Sequence, residues 1–171
     1  LYPDTYFVVT EEFVPKFFIE RLLGTFRSKV VTGLASEIEA SGKSLHDIIT
    51  MASLIEEETR TNPERPVVSG ILWKRLDIGM TLGVDAAVRY ILGKPTATIT
   101  ASDLDVDSPY NLRKVYGLPP GPIANPSFAS IKAALNPEET QYLYYLHGTD
   151  GQIRYAETND EHNVNRATYL R

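Results

Sequence analysis

The chain contains no cysteine, which excludes disulfides, a thiol nucleophile and cysteine-ligated zinc and leaves the compartment open. Long apolar runs are missing too: no stretch approaches the roughly 20 residues needed to cross a bilayer. Positive charge is in deficit, with 17 Lys and Arg against 22 Asp and Glu, a net −5. With no Lys/Arg run to offset that balance, a dedicated nucleic-acid binder is excluded. There is no serine elbow, no glycine loop to cradle phosphate and no dinucleotide fingerprint. Three histidines, His46, His147 and His162, are scattered without metal-ligand spacing. Asp103, Asp105 and Asp107 alternate like the start of a calcium loop, but Ser108 stands where the glycine belongs and Lys114 where the closing acid belongs. No metal or cofactor is therefore called for, and what remains is carboxylate chemistry.

At 171 residues, with 43% hydrophobic and 23% charged content, the chain suits one globular domain with a sizeable core. Its organising stretch is 45–59, LHDIITMASLIEEET. Ser44 is placed to cap a helix there, with Asp47 reaching back. At about 100° per residue, Leu45, Ile48, Ile49 and Ala52 form one apolar stripe and Met51, Leu54 and Ile55 a second. A helix apolar around most of its circumference belongs at the centre of a domain. Extending the stripes by one turn lands on Glu56 and Glu58, whereas Glu57 falls beside Thr50 and Ser53 on the one polar strip. A carboxylate in an apolar site is costly to ionise, so its pKa rises toward what a general acid needs. The competing reading is a buried glutamate paired with Arg60 or Arg75.

Around that helix the chain reads as α+β, helical early with a small antiparallel sheet late. Residues 1–9 look extended. From Thr10, Phe13, Phe17, Phe18, Leu22, Leu23, Phe26, Val30 and Val31 recur at helical spacing, an aromatic stripe expected in the core, with Pro15 near the first turn. A helix over 34–40 stops at Ser41-Gly42. After the 62–66 break, Val67, Val68, Ile71, Leu72, Leu76 and Trp73 mark a helix closed by Asp77-Ile78-Gly79. A short extended segment over 80–85 leads to a helix over 86–92 capped by Asp85, and 94–107 is polar and irregular. Pro126 precedes a helix over 127–135. Alternating tyrosines over 141–146, a turn and a strand over 153–157 predict a hairpin, and Asn159 is placed to cap a last helix over 160–170.

Residues 108–127, SPYNLRKVYGLPPGPIANPS, hold five prolines and two glycines, too many for a regular element. They keep Tyr110, Tyr116, Leu118 and Ile123 as anchors. A stiff loop with polar tips such as Asn111 and Asn125 makes a reasonable wall for a cleft. Carboxylates beside a loop rich in tyrosine and asparagine fit a carbohydrate cleft, where an acid protonates a glycosidic oxygen.

Several motifs then occur in one order. Met51-Ala52-Ser53-Leu54-Ile55-Glu56-Glu57-Glu58-Thr59 resembles the ASIVEKET-type signature of the endolytic murein transglycosylases, the MltG or YceG-like family. Arg75-Leu76, Ile78-Gly79-Met80, Leu82 and Asp85 follow, then Ser108-Pro109-Tyr110-Asn111. After these come Gly117-Leu118-Pro119-Pro120-Gly121-Pro122-Ile123-Ala124-Asn125-Pro126, Tyr142-Leu143-Tyr144 and Glu161-His162-Asn163, while Leu1-Tyr2-Pro3-Asp4-Thr5-Tyr6 resembles the family's FPDTY opening.

The resemblance implies a single catalytic domain over 1–171 that cuts peptidoglycan glycan strands internally and leaves anhydromuramyl ends. It puts the catalytic acid on Glu58, with Glu56 in support. Asp85, Ser108, Tyr110, Asn111, Asn125, Glu161, His162 and Asn163 are implied to bind substrate or support the site. It also implies a membrane helix and a LysM-like region upstream, action at the outer face of the cytoplasmic membrane, and cell-wall synthases as candidate partners.

Three positions depart from the family pattern: Lys74, Gly83 and Ile153. They make the first of two alternatives plausible. One is a catalytically silent glycan-binding or scaffolding domain. The other is a glycoside hydrolase in which Glu56 or Asp85 serves as a second carboxylate.

Overall fold

The computed structural model describes residues 1–93 and 99–170; the start of the polar 94–107 segment lies outside them. The chain is α+β, with seven α-helices among the described residues and one two-stranded sheet. In order they are α1 (Pro15–Phe26), continued by a π-helical stretch (Arg27–Thr32), α2 (Ala35–Ser41), α3 (Leu45–Glu58), α4 (Glu64–Asp77), α5 (Asp85–Leu92), α6 (Phe128–Leu135), β1 (Tyr144–His147), β2 (Ile153–Ala156) and α7 (Asn159–Tyr169). No helix is long and apolar enough to cross a membrane among the described residues.

Helix α3 is central, packed against α4, α5 and α6. Ile48, Met51, Ala52, Leu54 and Ile55 are fully buried and meet Leu72 and Val68 of α4, Ala87 of α5 and Ile131 of α6 in one core. Ser44 caps the helix: its Oγ accepts from the Asp47 amide at 3.1 Å and donates to Asp47 Oδ2 at 2.7 Å. The polar strip differs from expectation. Thr50 and Ser53 are buried, and Ser53 Oγ donates to the Thr50 carbonyl and accepts from the Ile123 amide of the proline-rich loop. Only Glu57 of that strip is exposed. The strip faces protein because the proline-rich loop packs over it, the Ile123 amide finding its acceptor in Ser53 Oγ.

The aromatic stripe near the N-terminus is core only at its end, where Val30 is buried and Phe26 packs against the core. The α-helix begins at Pro15 instead of Thr10, because proline has no amide to donate and fits the first helical position. No residue of α1 is buried. Phe17 is 64% exposed, and Phe7, just before it, 84%. This arm packs on itself, with Phe18 against Tyr6 and Phe13 and with Arg21 donating to the Phe7 carbonyl. It joins the core through Tyr2 at its start and through Phe26, Val30 and Leu34 at its end.

Other ends shift by a residue. Val84, not Asp85, is the N-cap of α5, and Asp85 sits in its first turn. Thr158, not Asn159, caps α7 through a reciprocal capping box with Glu161. The hairpin strands are shorter than the alternation predicts and pair Tyr145 with Tyr155 and His147 with Ile153. In the proline-rich loop Leu118 and Ile123 reach the core as anchors, but Tyr116 is 72% exposed. Its neighbour Asn111 is fully buried, so it is no polar tip.

Candidate active site

Glu58 is the last residue of α3. There the helix stops on the extended backbone of Thr59, whose hydroxyl donates back to the Ile55 carbonyl at 2.7 Å. The negative end of the helix dipole thus lies beside the carboxyl. The side chain enters an open cleft of about 680 Å³ lined by the loop before α5, by β1 and by one face of α7. Burial pushes its pKa above the ordinary value of 4.5; the charge of Asp85 adds to this, and hydrogen bonds from Tyr145 and the Ala86 amide, with the more distant Arg89, offset only part of it. The Tyr145 hydroxyl donates to Glu58 Oε2 at 2.9 Å. Tyr145 is itself held protonated by burial and by the neighbouring carboxylate, so its hydroxyl keeps a proton to donate to Glu58.

Arg75 fixes the frame around this pair. From the end of α4 its Nε donates to the Leu143 carbonyl at 2.6 Å and its Nη1 to the Leu82 carbonyl at 2.5 Å, with the guanidinium over the Tyr144 ring. One buried cation thereby ties the start of the hairpin to the loop before α5. Gly83 belongs to the same frame. Its φ of +63° suits glycine, and an added Cβ would lie 3.5 Å from Arg75 Nη1. The hairpin is anchored again where His147 Nε2 lies 3.2 Å from Glu64 Oε2, an oxygen that also accepts the Arg60 amide.

Of the residues the sequence puts forward, the structure gathers Glu58, Asp85 and His162 around one cleft. Asp85 is ion-paired to Arg113 at 2.8 Å. The His162 ring stacks on Tyr144, centroids 5.3 Å apart, and its Nδ1 is buried without a hydrogen-bond partner. Glu56 lies elsewhere, accepting from the Ser127 hydroxyl (2.6 Å), the Ser127 amide (3.0 Å) and the Ser130 hydroxyl (2.6 Å), with Arg65 at 3.6 Å. Burial alone would raise its pKa, yet these hydroxyls, the amide and Arg65 together hold it below the ordinary value. The arginine partner foreseen for a buried glutamate exists, but it is Arg65, and it belongs to Glu56.

The other positions hold the scaffold. Asn111 donates to the Leu104 and Val106 carbonyls, and Ser108 accepts the Tyr110 amide. Tyr110 lies against Tyr90, and Glu161 serves the cap of α7. Asn125 and Asn163 are exposed and stand outside the cleft lining. Of the departing positions, Gly83 lines the cleft, whereas Lys74 donates to the Thr140 and Gln141 carbonyls and Ile153 packs on the core. Sequence reasoning missed Tyr145, Arg113, His147 and Arg166 as cleft residues. The tyrosine alternation was the one available signal, and it does not say which ring meets Glu58.

A half-buried acid at the end of a central helix, bonded to a tyrosine, thus lines one side of an open cleft. The chain belongs to the YceG-like family, whose model matches residues 1–168. It is 41% identical over 135 residues to the endolytic murein transglycosylase of Bacillus subtilis, covering 79% of this chain and 38% of that protein. It is 30% identical over 176 residues to the endolytic murein transglycosylase of Streptococcus pneumoniae strain D39, covering 99% of this chain and 32% of that protein. The fold matches a crystal structure of a yceG-like protein from Listeria monocytogenes with a TM-score of 0.89 at 36% identity, over 96% of this chain and 53% of that one. The chain thus spans 38% and 32% of the length of the two transglycosylases.

Proposed function

We propose that this chain is the catalytic domain of a lytic transglycosylase that cuts peptidoglycan glycan strands from within, Glu58 serving first as acid and then as base. The observation that carries the reading is the placement of Glu58 at the end of α3, lining the open cleft and bonded to Tyr145, where burial favours its protonated form. Protonated Glu58 gives its proton to the leaving glycosidic oxygen as the bond from the muramyl C1 breaks. The carboxylate then takes the proton from the same sugar's O6 hydroxyl as O6 closes on C1, so Glu58 ends protonated and no water is consumed. Tyr145 holds Oε2 in place.

The two-carboxylate hydrolase is less well supported. Glu56 is spent on Ser127, Ser130 and Arg65, and Asp85 on Arg113. A silent binding domain is less well supported, because of the three departing positions only Gly83 lines the cleft, and there Glu58 keeps its bond to Tyr145. Action in the cell envelope, a membrane anchor in a preceding segment and work beside cell-wall synthases complete the reading and come from family resemblance.

Incubating the chain and its Glu58→Gln variant with glycan strands in oxygen-18 water tests it by mass spectrometry of the new ends. Unlabelled anhydromuramyl ends from the parent alone are expected. Labelled reducing ends contradict the lyase assignment, and products from Glu58→Gln contradict the acid.

A further inference from the structure

The charges lining the cleft pair off with one remainder. Arg75 is committed to two carbonyls and Arg113 to Asp85. Arg166, on α7, lines the same cleft, and its guanidinium has neither a hydrogen bond nor an ion pair among the described residues. In a chain of net charge −5, an unpartnered cation facing the candidate acid's cleft runs against the overall balance. Its place is defined by a chain of contacts. Glu58 is bonded to Tyr145, the adjacent Tyr144 stacks on His162, and Arg166 follows His162 by four residues, one turn along the same helix face. His162 turns its buried, unpartnered Nδ1 inward. Burial and the Arg166 and Arg75 charges lower its pKa, so it stays neutral and does not compete as a second cation.

We infer that Arg166 is a specificity-determining residue that binds a carboxylate of the muramyl unit seated beside Glu58; this rests on the glycan-cleaving reading above. Murein alternates a neutral amino sugar with a muramyl sugar whose lactyl ether ends in a carboxyl group. That group is either free or amide-linked to a short peptide, which itself carries carboxylates. Either source places an anion on the sugar whose C1–O bond is broken, near the acid but displaced from it. A guanidinium with no protein partner binds such a group through paired N–H donors. A net charge of −5 does not favour anionic strands, so an unpaired cation in the cleft supplies a local attraction.

The test uses three substrates: strands with intact peptides, strands whose peptides have been removed to leave free lactyl groups, and strands whose carboxylates have been capped as amides. Steady-state kinetics are measured for the parent, Arg166→Ala and Arg166→Lys, and affinity is measured for the same changes placed on Glu58→Gln. Arg166→Ala is expected to raise KM roughly fivefold at low salt, the scale of an exposed ion pair, with kcat little changed. Arg166→Lys recovers part of the loss, high salt shrinks it, and on capped strands the parent and Arg166→Ala coincide. A loss seen with peptide-free strands assigns the lactyl carboxylate; a loss confined to intact strands assigns the peptide. Equal KM and equal affinity for parent and Arg166→Ala on every substrate overturn the inference and leave the transglycosylase reading standing. A loss that persists on capped strands overturns it as well. No cleavage and no binding by the parent overturns both.

Discussion

Helices α1 and α3 are written in the same apolar spacing and meet opposite fates. α1 carries Phe17, Phe18, Leu22 and Leu23 and buries none of its residues, whereas α3 buries even Thr50 and Ser53. The difference lies in neighbours. α3 is enclosed by α4, α5, α6 and the proline-rich loop, while α1 packs chiefly on the π-helical stretch that continues it. Periodicity says which side chains share a face, and only the tertiary fold says whether that face is covered. Enclosure is also what makes α3 chemical, because the packing that buries Ile55 brings the end of the helix, and Glu58 with it, into a desolvated cleft.

The contrast can be broken or sharpened by mutation. Ile55→Ala should cost about 2–4 kcal/mol of stability, since it removes a fully buried side chain from an enclosed site, whereas Phe17→Ala should cost less than about 0.5 kcal/mol. Denaturant melts of both variants measure this, and equal losses would mean that α1 is as well enclosed as α3. Tyr145→Phe should lower kcat roughly tenfold, the scale of one charge-assisted hydrogen bond. It should also move the alkaline limb of the rate profile upward, because the bond it removes favours ionised Glu58.

Glu58→Gln should stabilise the fold by about 1 kcal/mol at neutral pH, roughly 2–4 °C in melting temperature. A carboxyl whose folded pKa is raised binds its proton more tightly in the folded state. Its ionisation therefore costs stability above the ordinary carboxylate value of 4.5, and the cost is absent below it. The gain should vanish in acid. A gain that survives there would come from something other than charge.

Much of the architecture was legible because it is written locally. Ser44 caps the helix it precedes, Gly42 ends α2 in the left-handed conformation, and the tyrosine alternation marks a hairpin. Glu58 was legible too, as a carboxylate continuing an apolar stripe. What stayed hidden is what distant segments bring together. Glu56 continues a stripe just as Glu58 does, but its partners Ser127 and Ser130 come 71 and 74 residues later. Tyr145 meets Glu58 across 87 residues, and nothing local sets it apart from Tyr142 or Tyr144. Asn111 looked like a loop tip because asparagine is polar, yet its amide holds the Leu104 and Val106 carbonyls of the segment before the loop.

The account turns on Glu58 carrying its proton at the pH where the chain works, and the most direct measurement is the pH dependence of kcat/KM on glycan strands. Activity is predicted to persist above the ordinary carboxylate value of 4.5 and to fall on an alkaline limb that Tyr145→Phe moves upward and Glu58→Gln abolishes along with turnover. A rate that falls as soon as ordinary carboxylates ionise, or that survives in Glu58→Gln, would contradict the claim that burial at the end of α3 makes the acid.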